Sequence, residues 1–348
     1  MKTQSFAIAA LIGIIAATPA ADACTRLVYH GDEGRVLTAR SMDWKEDMLS
    51  NLWILPREIE RSGQAGGNSI EWKAEYGSVV ATAYDIATVD GLNEKGLMAN
   101  LLWLVESEYP ERDEEKPGLA SSLWAQYMLD QFATVQEAVA HLRDEPFQLV
   151  TDFLPGSERL ATVHLSLSDK TGDSAIIEYV GGKQVIHHDR AYQVMTNSPV
   201  FEQQLALNEY WRSIGGTVML PGTNRAADRY ARAMFYVNAI PQVEDRRAAT
   251  AGVFSVIRNC SVPFGIQTEK EPNLSSTRWR VVADHKEMLY YFESAVSPNV
   301  FWVDVGGMGF EDRTAVRKLE LGPDSGRIIA GEVSALFAVT DPFEFKGL

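Results

Sequence analysis

The sequence reads ADACTRLVYHGDEGRVLTARSMDW from residue 21 to residue 44, and this stretch decides how the chain begins to fold. Apolar and β-branched residues on both sides of the Gly-Asp-Glu-Gly turn at 31–34 predict two strands joined as a hairpin. The returning strand brings Arg40 and Asp43 back towards Cys24. The sequence therefore predicts that a thiol, a guanidinium and a carboxylate meet at the start of the folded chain.

The residues before Cys24 have the three parts of a secretion signal. Lys2 supplies the positive charge, residues 6–17 form the apolar run, and an Ala-Asp-Ala run ending at Ala23 fits the small-x-small cleavage pattern. The apolar run is shorter than the stretch of about 18 residues that a membrane-spanning helix needs, and no later stretch is long enough. We therefore expect a signal peptide over 1–23, cleavage between Ala23 and Cys24, no membrane insertion, and export to the periplasm.

Two other fates of the first cysteine remain open at this stage. A cysteine directly after a signal can be a lipid attachment site, but such sites usually have leucine where this chain has Ala21. The second cysteine, Cys260, is a candidate disulfide partner for Cys24 in an oxidising compartment. Cys260 lies in an apolar run typical of a buried helix, which favours a free buried thiol. A nucleophilic Cys24 excludes both the lipid and the disulfide.

Composition and charge limit the partners of the chain. Among 348 residues, 46% are hydrophobic and 23% charged, which is ordinary for a globular protein with a sizeable core. No linker rich in Gly, Ser or Pro divides the chain, so we expect a single domain over 24–348. The formal net charge of −15 argues against nucleic acid and anionic membrane surfaces, because both require basic patches. A small molecule is the expected partner.

The order of the predicted elements indicates the fold class. Strands are predicted as far as residue 104, helices within 121–143, strands within 161–196, helices within 200–260, and strands within 278–305. Among them, the returning strand of the hairpin is predicted over 36–40, a strand over 193–196 and a helix over 226–239. Such blocks favour an α+β fold in which two antiparallel sheets pack face to face with helices outside. We expect a four-layer αββα sandwich.

A cysteine at a free chain end carries a nucleophile and a base on one residue. The α-amine has an ordinary pKa of about 8 and the thiol one of about 8.5, so both change protonation near neutral pH. The amine can accept the thiol proton, directly or through one water, and later return it to a leaving nitrogen. This chemistry requires no histidine.

Three further side chains are candidates to assist Cys24. The charge of Arg40 would favour the thiolate, and Asp43 would accept a hydrogen bond from the amine and orient it. The side-chain amide of Asn197, at the end of a predicted strand, would donate to the oxyanion that forms when sulfur attacks a carbonyl. Considered alone, each of the three is more often an ordinary surface or turn residue.

With their flanking residues these positions resemble the choloylglycine hydrolase family of N-terminal nucleophile hydrolases, which contains penicillin V acylases and conjugated bile salt hydrolases. The resemblance runs in order from Cys24 to about Arg280. It rests on Cys-Thr-Arg at 24–26, Ala-Arg-Ser-Met-Asp-Trp at 39–44, Asp-Gly-Leu-Asn-Glu-Lys-Gly-Leu at 90–97, Thr-Asn-Ser-Pro at 196–199, and Leu-Pro-Gly at 220–222 followed by Arg229-Tyr230.

The resemblance implies a role for each matching residue. Cys24 matches the terminal nucleophile, Arg40 and Asp43 match the residues that serve its sulfur and amine, and Asn197 matches the oxyanion-hole amide. Arg229 matches a second active-site arginine. The resemblance also implies an αββα sandwich, a homotetramer, and catalysis without a metal or organic cofactor. The sequence agrees on the cofactor, because it contains no HExxH, no CxxC and no Gly-rich phosphate loop.

One position departs from the bile salt hydrolases. Trp103 stands where those enzymes have asparagine; its backbone N–H can still serve an oxyanion, but its side chain is a large aromatic ring. Together with Trp44, it suits a flat aromatic or fatty acyl group better than a sterol. Ordinary core packing is the alternative for both indoles. The pattern is similar to that of exported penicillin V acylases of Gram-negative bacteria, a group also associated with hydrolysis of N-acyl homoserine lactones.

We therefore expect an exported amidase that cleaves a linear C–N amide bond through a thioester on Cys24. Penicillin V is the leading substrate, and N-acyl homoserine lactones, whose hydrolysis would be quorum quenching, come next. Conjugated bile salts and lipid amides are alternatives within the same chemistry. A non-catalytic exported binding protein or lipoprotein is the alternative class, and it predicts that Cys24 is lipidated or joined to Cys260.

Overall fold

The computed structural model describes residues 24–267, 275–297, 299–311, 315–322 and 328–348. The predicted signal peptide lies outside these residues. Two large sheets contain most of the strands, which are numbered along the chain.

The seven-stranded sheet, sheet A, contains the strand that follows Cys24. Across sheet A the order is β14 (Val194–Met195), β1 (Thr25–His30), β2 (Val36–Trp44), β15 (Ser276–Asp284), β16 (Leu289–Ser294), β17 (Val300–Asp304) and β19 (Gly331–Glu332). Neighbours pair antiparallel except β17 and β19, which are parallel. The predicted hairpin is therefore confirmed as β1 and β2, in the middle of a larger sheet.

The nine-stranded sheet, sheet B, is antiparallel throughout. Across sheet B the order is β13 (Lys183–His188), β12 (Ser174–Val180), β11 (Val163–Ser168), β8 (Met98–Trp103), β7 (Ala87–Asn93), β6 (Ser78–Ala83), β3 (Leu52–Leu55), β18 (Arg317–Leu319) and β20 (Ala338–Val339). Two small ribbons accompany it: β4 (Glu60–Ser62) with β5 (Glu71–Lys73), and β9 (Gly118–Ala120) with β10 (Gln148–Val150).

Both faces of sheet B are buried, and the alternation of side chains along β3 shows how. Leu52 and Ile54 belong to the apolar core that sheet B shares with sheet A, whereas Trp53 and Leu55 belong to a second core on the other face. Successive side chains of a strand point to opposite faces, so a run of four apolar residues supplies both cores. Burying both faces requires a further layer outside sheet B.

Helices supply the outer layers. They are α1 (Trp124–Gln131), α2 (Val135–Leu142), α3 (Phe201–Ile214), α4 (Ala226–Ala239) and α5 (Arg246–Asn259), with single 3-10 turns at Asp32–Gly34, Ser121–Leu123 and Ser334–Leu336. The first two helices pack on sheet B, and α4 and α5 pack on sheet A. The layers follow the order helix, sheet, sheet, helix, which confirms the α+β class and the αββα sandwich. Within the described ranges, no helix is long and apolar enough to cross a bilayer.

Several elements differ from the sequence prediction, which also did not include the short strands β4, β5, β9, β10, β18, β19 and β20. Strand β2 continues to Trp44, beyond the predicted end at residue 40, because it pairs with β15 along its whole length. Strand β13 was not predicted, since its Lys-Gln and His-His ends hide the pattern of an edge strand. The strand predicted over 193–196 is reduced to the two residues of β14.

Candidate active site

Cys24 stands immediately before β1, where three strands of sheet A meet. The register pairs Arg26 with Arg40 on β2 and with Met195 on β14. The chain that leaves β14 and the far end of β2 therefore both converge on Cys24. The side chain of Cys24 is buried, and neither Cys24 nor Cys260 forms a disulfide, as the sequence predicted.

The sulfur of Cys24 lies close to a cation. Arg40 Nη2 is 3.8 Å from Cys24 Sγ, and the sulfur is also 3.8 Å from the main-chain oxygen of Asp43. Burial raises the pKa of the Cys24 thiol, and the positive charges of Arg40 and Arg229 act in the opposite direction. The expected effect of Arg40 is therefore present, but desolvation of the thiolate outweighs it.

The nitrogen of Cys24 is held by Asn197. Cys24 N donates to Asn197 Oδ1 at 2.5 Å, and Arg229 Nη2 donates to the same oxygen at 2.9 Å. Asn197 Nδ2 donates to the main-chain oxygen of Trp103 at 2.7 Å. These contacts orient the amide of Asn197, with its oxygen towards the nitrogen of Cys24 and its NH2 group towards β8.

Asp43 is fully buried beside this cluster. Its carboxylate accepts hydrogen bonds from Thr277 Oγ1 and, at 3.3 Å, from Ser41 Oγ. Burial raises the pKa of Asp43 to about 6, while Arg229 and Thr277 act against that rise. The sequence assigned the Cys24 nitrogen to Asp43, whereas the acceptor in this chain is Asn197. The service of Asp43 to a freed amine stays a prediction.

Arg229 holds the main chain of Cys24. From the first turn of α4, its Nη1 donates to Cys24 O at 2.5 Å and to Thr25 Oγ1 at 2.6 Å, and its Nε donates to Asn224 O at 2.9 Å. Burial lowers the pKa of Arg229, and the nearby Asp43 raises it again. From the sequence, only the family resemblance linked α4 to Cys24. In the folded chain the two are in contact through Arg229.

Arg40 has a counter-ion that the sequence analysis missed. Arg40 Nη1 lies 3.7 Å from Asp90 Oδ2, and both side chains are fully buried. Tyr290 Oη and Asn100 Nδ2 donate to the same carboxylate at 2.6 and 2.7 Å, and burial raises the pKa of Asp90 to about 6. The sequence offered one signal for this counter-ion, an aspartate inside an apolar strand, at the start of the Asp-Gly-Leu-Asn-Glu-Lys-Gly-Leu run.

The guanidinium of Arg40 occupies a gap between two strands of sheet B. It donates to Leu101 O at 2.8 Å and to Val89 O at 3.4 Å, and its carbon lies 4.7 Å from the ring centre of Trp279. These carbonyls belong to β8 and β7, whose pairing ends at Asp90 and Asn100. Arg40 thus satisfies main-chain groups that the diverging strands leave unpaired.

The backbone of Trp103 faces the same gap. The next residue, Leu104, donates to Thr162 O at 3.1 Å on the β11 side. Main-chain groups of consecutive residues point to opposite sides of a strand, so the N–H and C=O of Trp103 point away from β11. Asn197 Nδ2 contacts the C=O of Trp103 on that side. The main-chain N–H of Trp103 and the side-chain NH2 group of Asn197 therefore lie near one another.

A cavity opens beside the sulfur of Cys24. Trp44 and Trp103 both line it, and their ring centres are 5.4 Å apart. Their contact with a substrate stays a prediction. Most other lining side chains are apolar. The cavity is lined among others by Cys24, Met42, Met48, Ala83, Ile86, Val89, Leu101, Phe153, Leu154 and Val163. Its apolar lining suits the apolar part of a small molecule.

No group of three or more His, Cys, Asp or Glu side chains placed to hold a metal ion occurs in the part of the chain that the structure describes. The site itself offers a buried thiol, a nitrogen held by an amide, two arginines and two carboxylates. An oriented nucleophile beside an apolar cavity is the arrangement expected for acyl transfer.

Comparisons with known proteins agree with this geometry. Residues 24–311 match the family described as linear amide C–N hydrolases, choloylglycine hydrolase family. The chain is 56% identical to penicillin V acylase of Pectobacterium atrosepticum over 94% of this chain and 93% of that protein. It is 27% identical to conjugated bile acid hydrolase of Lactobacillus gasseri over 71% of this chain and 84% of that protein.

Solved structures give the same result. The structure of penicillin V acylase from Agrobacterium tumefaciens is 59% identical and superposes with a TM-score of 0.87, covering 93% of this chain and 100% of that one. A mutant of conjugated bile acid hydrolase from Clostridium perfringens is 22% identical with a TM-score of 0.72, covering 86% of this chain and 97% of that one. The second similarity concerns the fold alone.

Proposed function

This chain belongs to the choloylglycine hydrolase family of linear amide C–N hydrolases, and from that premise we propose that it is an exported penicillin V acylase acting through Cys24. The observation that carries the proposal is the position of the Cys24 thiol. It lines an apolar cavity with two indoles, while its own nitrogen is fixed by Asn197. The relatives named penicillin V acylase support this substrate over a bile salt, because the bile acid hydrolases are more distant.

The first step is activation of the thiol. Removal of residues 1–23 converts the nitrogen of Cys24 from a peptide nitrogen into an amine, next to Asn197 Oδ1. The amine then takes the proton of the thiol, directly or through one water. Arg40 Nη2, 3.8 Å from the sulfur, stabilises the thiolate against the cost of burial. Asp43, in the same buried cluster, stabilises the ammonium that results.

The second step forms the thioester. The sulfur attacks the carbonyl carbon of the phenoxyacetyl amide, and the carbonyl oxygen becomes an oxyanion. The N–H of Trp103 and the second Nδ2 hydrogen of Asn197 are the donors that we assign to this oxyanion. As the C–N bond breaks, the ammonium of Cys24 returns its proton to the leaving nitrogen, which departs as the free amine. The acyl group remains on sulfur.

The third step releases the acid. A water molecule gives a proton to the amine of Cys24 and attacks the thioester carbonyl, passing through a second oxyanion at the same donors. The C–S bond then breaks, and the thiolate recovers its proton from the ammonium. Water is the only co-reactant consumed. The products are the carboxylic acid of the acyl group and the amine.

The cavity also favours a second substrate class within the same chemistry. An N-acyl homoserine lactone has a linear amide and an apolar acyl chain, and the apolar lining of the cavity fits such a chain. We therefore include acyl homoserine lactones beside penicillin V as substrates. A conjugated bile salt is a weaker candidate, because two indoles narrow the space beside the nucleophile.

The proposal is tested by combining maturation and activity measurements. We expect protein recovered from the periplasm to begin with an unmodified Cys24, by intact mass and N-terminal sequencing, and to hydrolyse penicillin V. Cys24→Ala should lose activity by at least about a thousandfold, and Cys24→Ser should lose most of it. Cys260→Ala is the matched control, because Cys260 is also free and burial raises the pKa of its thiol to about 11.

Three outcomes would contradict the proposal. Wild-type activity in Cys24→Ala would remove the nucleophile from the mechanism. A diacylglyceryl adduct on Cys24, or a bond to Cys260, would support the non-catalytic or lipoprotein alternative. Hydrolysis of glycocholate without hydrolysis of penicillin V would assign the chain to bile salts. Light scattering of the same sample tests the homotetramer that the family resemblance implies.

A further inference from the structure

The cavity beside Cys24 has a wall that lies outside the family match. That match ends at residue 311, yet Lys346, Gly347 and Leu348 line the same cavity as the nucleophile. We propose that these three residues, the tail wall, limit the size of the acyl group that reaches Cys24 and so determine acyl selectivity. This inference rests on the proposed amidase function and specifies which part of the chain selects the substrate.

The tail wall is anchored by aromatic residues that precede it. The ring centre of Phe343 lies 4.9 Å from that of Trp53, and Phe345 lies 4.5 Å from Phe343. The guanidinium carbon of Arg61 lies 5.3 Å from the ring centre of Phe345. These contacts fix the end of the described chain to the outer face of sheet B. The three residues that follow, 346–348, are therefore held in a fixed position.

Main-chain hydrogen bonds then carry the segment along the edge of the cavity. Lys346 N donates to Ile86 O at 2.9 Å, and Lys346 O accepts from Ser122 Oγ at 2.6 Å. Ile86 and Ser122 both line the cavity, on the turn between β6 and β7 and on the 3-10 turn before α1. Leu348 N donates to Gln64 O at 3.0 Å. The tail wall thus bridges elements that would otherwise border an open groove.

An ion pair connects the tail wall to a third element. Lys346 Nζ lies 2.5 Å from Asp152 Oδ2, and the Lys346 ammonium lowers the pKa of the Asp152 carboxyl. Asp152 starts the hairpin 152–161, which contributes Phe153 to the cavity. Both partners of the pair are about one-third exposed, at 36% and 30%, so the pair adds little to global stability. Its effect is to fix where the hairpin meets the tail.

The same hairpin contacts the aromatic side of the pocket. The guanidinium carbon of Arg159 lies 4.0 Å from the ring centre of Trp103. The tail wall, the hairpin 152–161 and Trp103 therefore form one continuous border around the acyl space. Removing the tail wall would leave that border open between Ile86 and Asp152. A longer acyl chain could then extend through the opening. We expect a compact phenoxyacetyl group not to reach the tail wall, so its binding should not change.

The experiment compares acyl selectivity in wild type and variants. We measure kcat/KM for penicillin V and for N-dodecanoyl homoserine lactone, and take the ratio of the second to the first. Deletion of 346–348 should raise this ratio about tenfold, the lower end of the effect of one methylene group in an apolar pocket. Leu348→Ala, which retains the main-chain hydrogen bonds, should raise it by a smaller factor. Lys286→Ala, on the turn after β15 and away from the cavity lining, is the matched control and should leave it unchanged.

The outcomes separate this inference from the proposed function. If wild type hydrolyses neither substrate, the amidase proposal and the tail wall fall together. If wild type hydrolyses penicillin V while both variants keep or lower the ratio, only the tail wall is wrong. Thermal unfolding of each variant identifies a misfolded deletion, in which case Leu348→Ala alone decides the question.

Discussion

Replacing Asp90 by asparagine tests whether the charge of Arg40 is held in place by a buried counter-ion. Asp90 Oδ2 is 3.7 Å from Arg40 Nη1, and neither side chain is exposed. At an effective dielectric constant of about 20, the Coulomb energy of charges at this separation is about 4.5 kcal/mol. Removing one partner of a buried pair costs about 3 to 5 kcal/mol, because the other charge is left without compensation. We expect Asp90→Asn to lose stability in that range.

The assay is equilibrium unfolding in guanidinium chloride at pH 7, with Tyr290→Phe as the matched control. That control removes the hydrogen bond from Tyr290 Oη to the same carboxylate at 2.6 Å but keeps the negative charge. Its expected loss is about 2 kcal/mol, the typical contribution of a hydrogen bond to a charged group. A loss in Asp90→Asn no larger than that in Tyr290→Phe would refute the role of the charge.

The pH at which Cys24 becomes reactive gives a second readout that packing alone would not change. The positive charge of Arg40 lowers the pKa of the Cys24 thiol. Without Asp90 that charge is less compensated, so the midpoint for alkylation of the thiol by iodoacetamide should move to lower pH. A midpoint that moves to higher pH would mean that Arg40 no longer lies beside the sulfur in the variant.

Two further predictions follow from the same site. Burial raises the pKa of Asp43 from 3.8 to about 6, so the stability that this carboxyl contributes is present below about pH 4 and is lost as the pH rises through about 6. The stability difference between wild type and Asp43→Asn should therefore fall by about 2 kcal/mol between pH 4 and pH 7, and a difference independent of pH would contradict it. Trp103→Asn should lower kcat/KM for penicillin V about fivefold relative to an aliphatic acyl substrate, because one of two paired indoles is lost from the pocket. Equal selectivity in the two proteins would show that the indole does not contact the acyl group.

Local patterns made several features of this chain predictable. The Thr-Val-Gln-Glu run at 134–137 predicts a capping box, and α2 begins with both of its hydrogen bonds. The helix predicted over 226–239 has those bounds in the structure, since its apolar face repeats with helical period. Strand β13 escaped prediction because an edge strand needs no clear apolar alternation.

The contacts of the site show where sequence reasoning ends. The proximity of Arg40 to Cys24 was predictable from the sequence, because a hairpin with a short turn has only one register that buries its apolar faces. The sequence did not show that Asn197 accepts a hydrogen bond from the Cys24 nitrogen, because that contact depends on the pairing of β14 with β1, which positions the residues after β14. It also overlooked Asp90, whose only relation to Arg40 is through the packing of one sheet on the other.

By itself, then, the sequence determined most of the longer elements and the order of the layers, and it identified Cys24 as the candidate nucleophile, because these depend on periodicity, turn chemistry and residue type within short stretches. Only the tertiary structure decided that Arg40 pairs with Asp90 and which way the amide of Asn197 points. It also decided that residues 346–348 border the same cavity as Cys24. Those contacts join residues far apart in the chain, and their geometry is set by how two sheets pack, which no local pattern encodes.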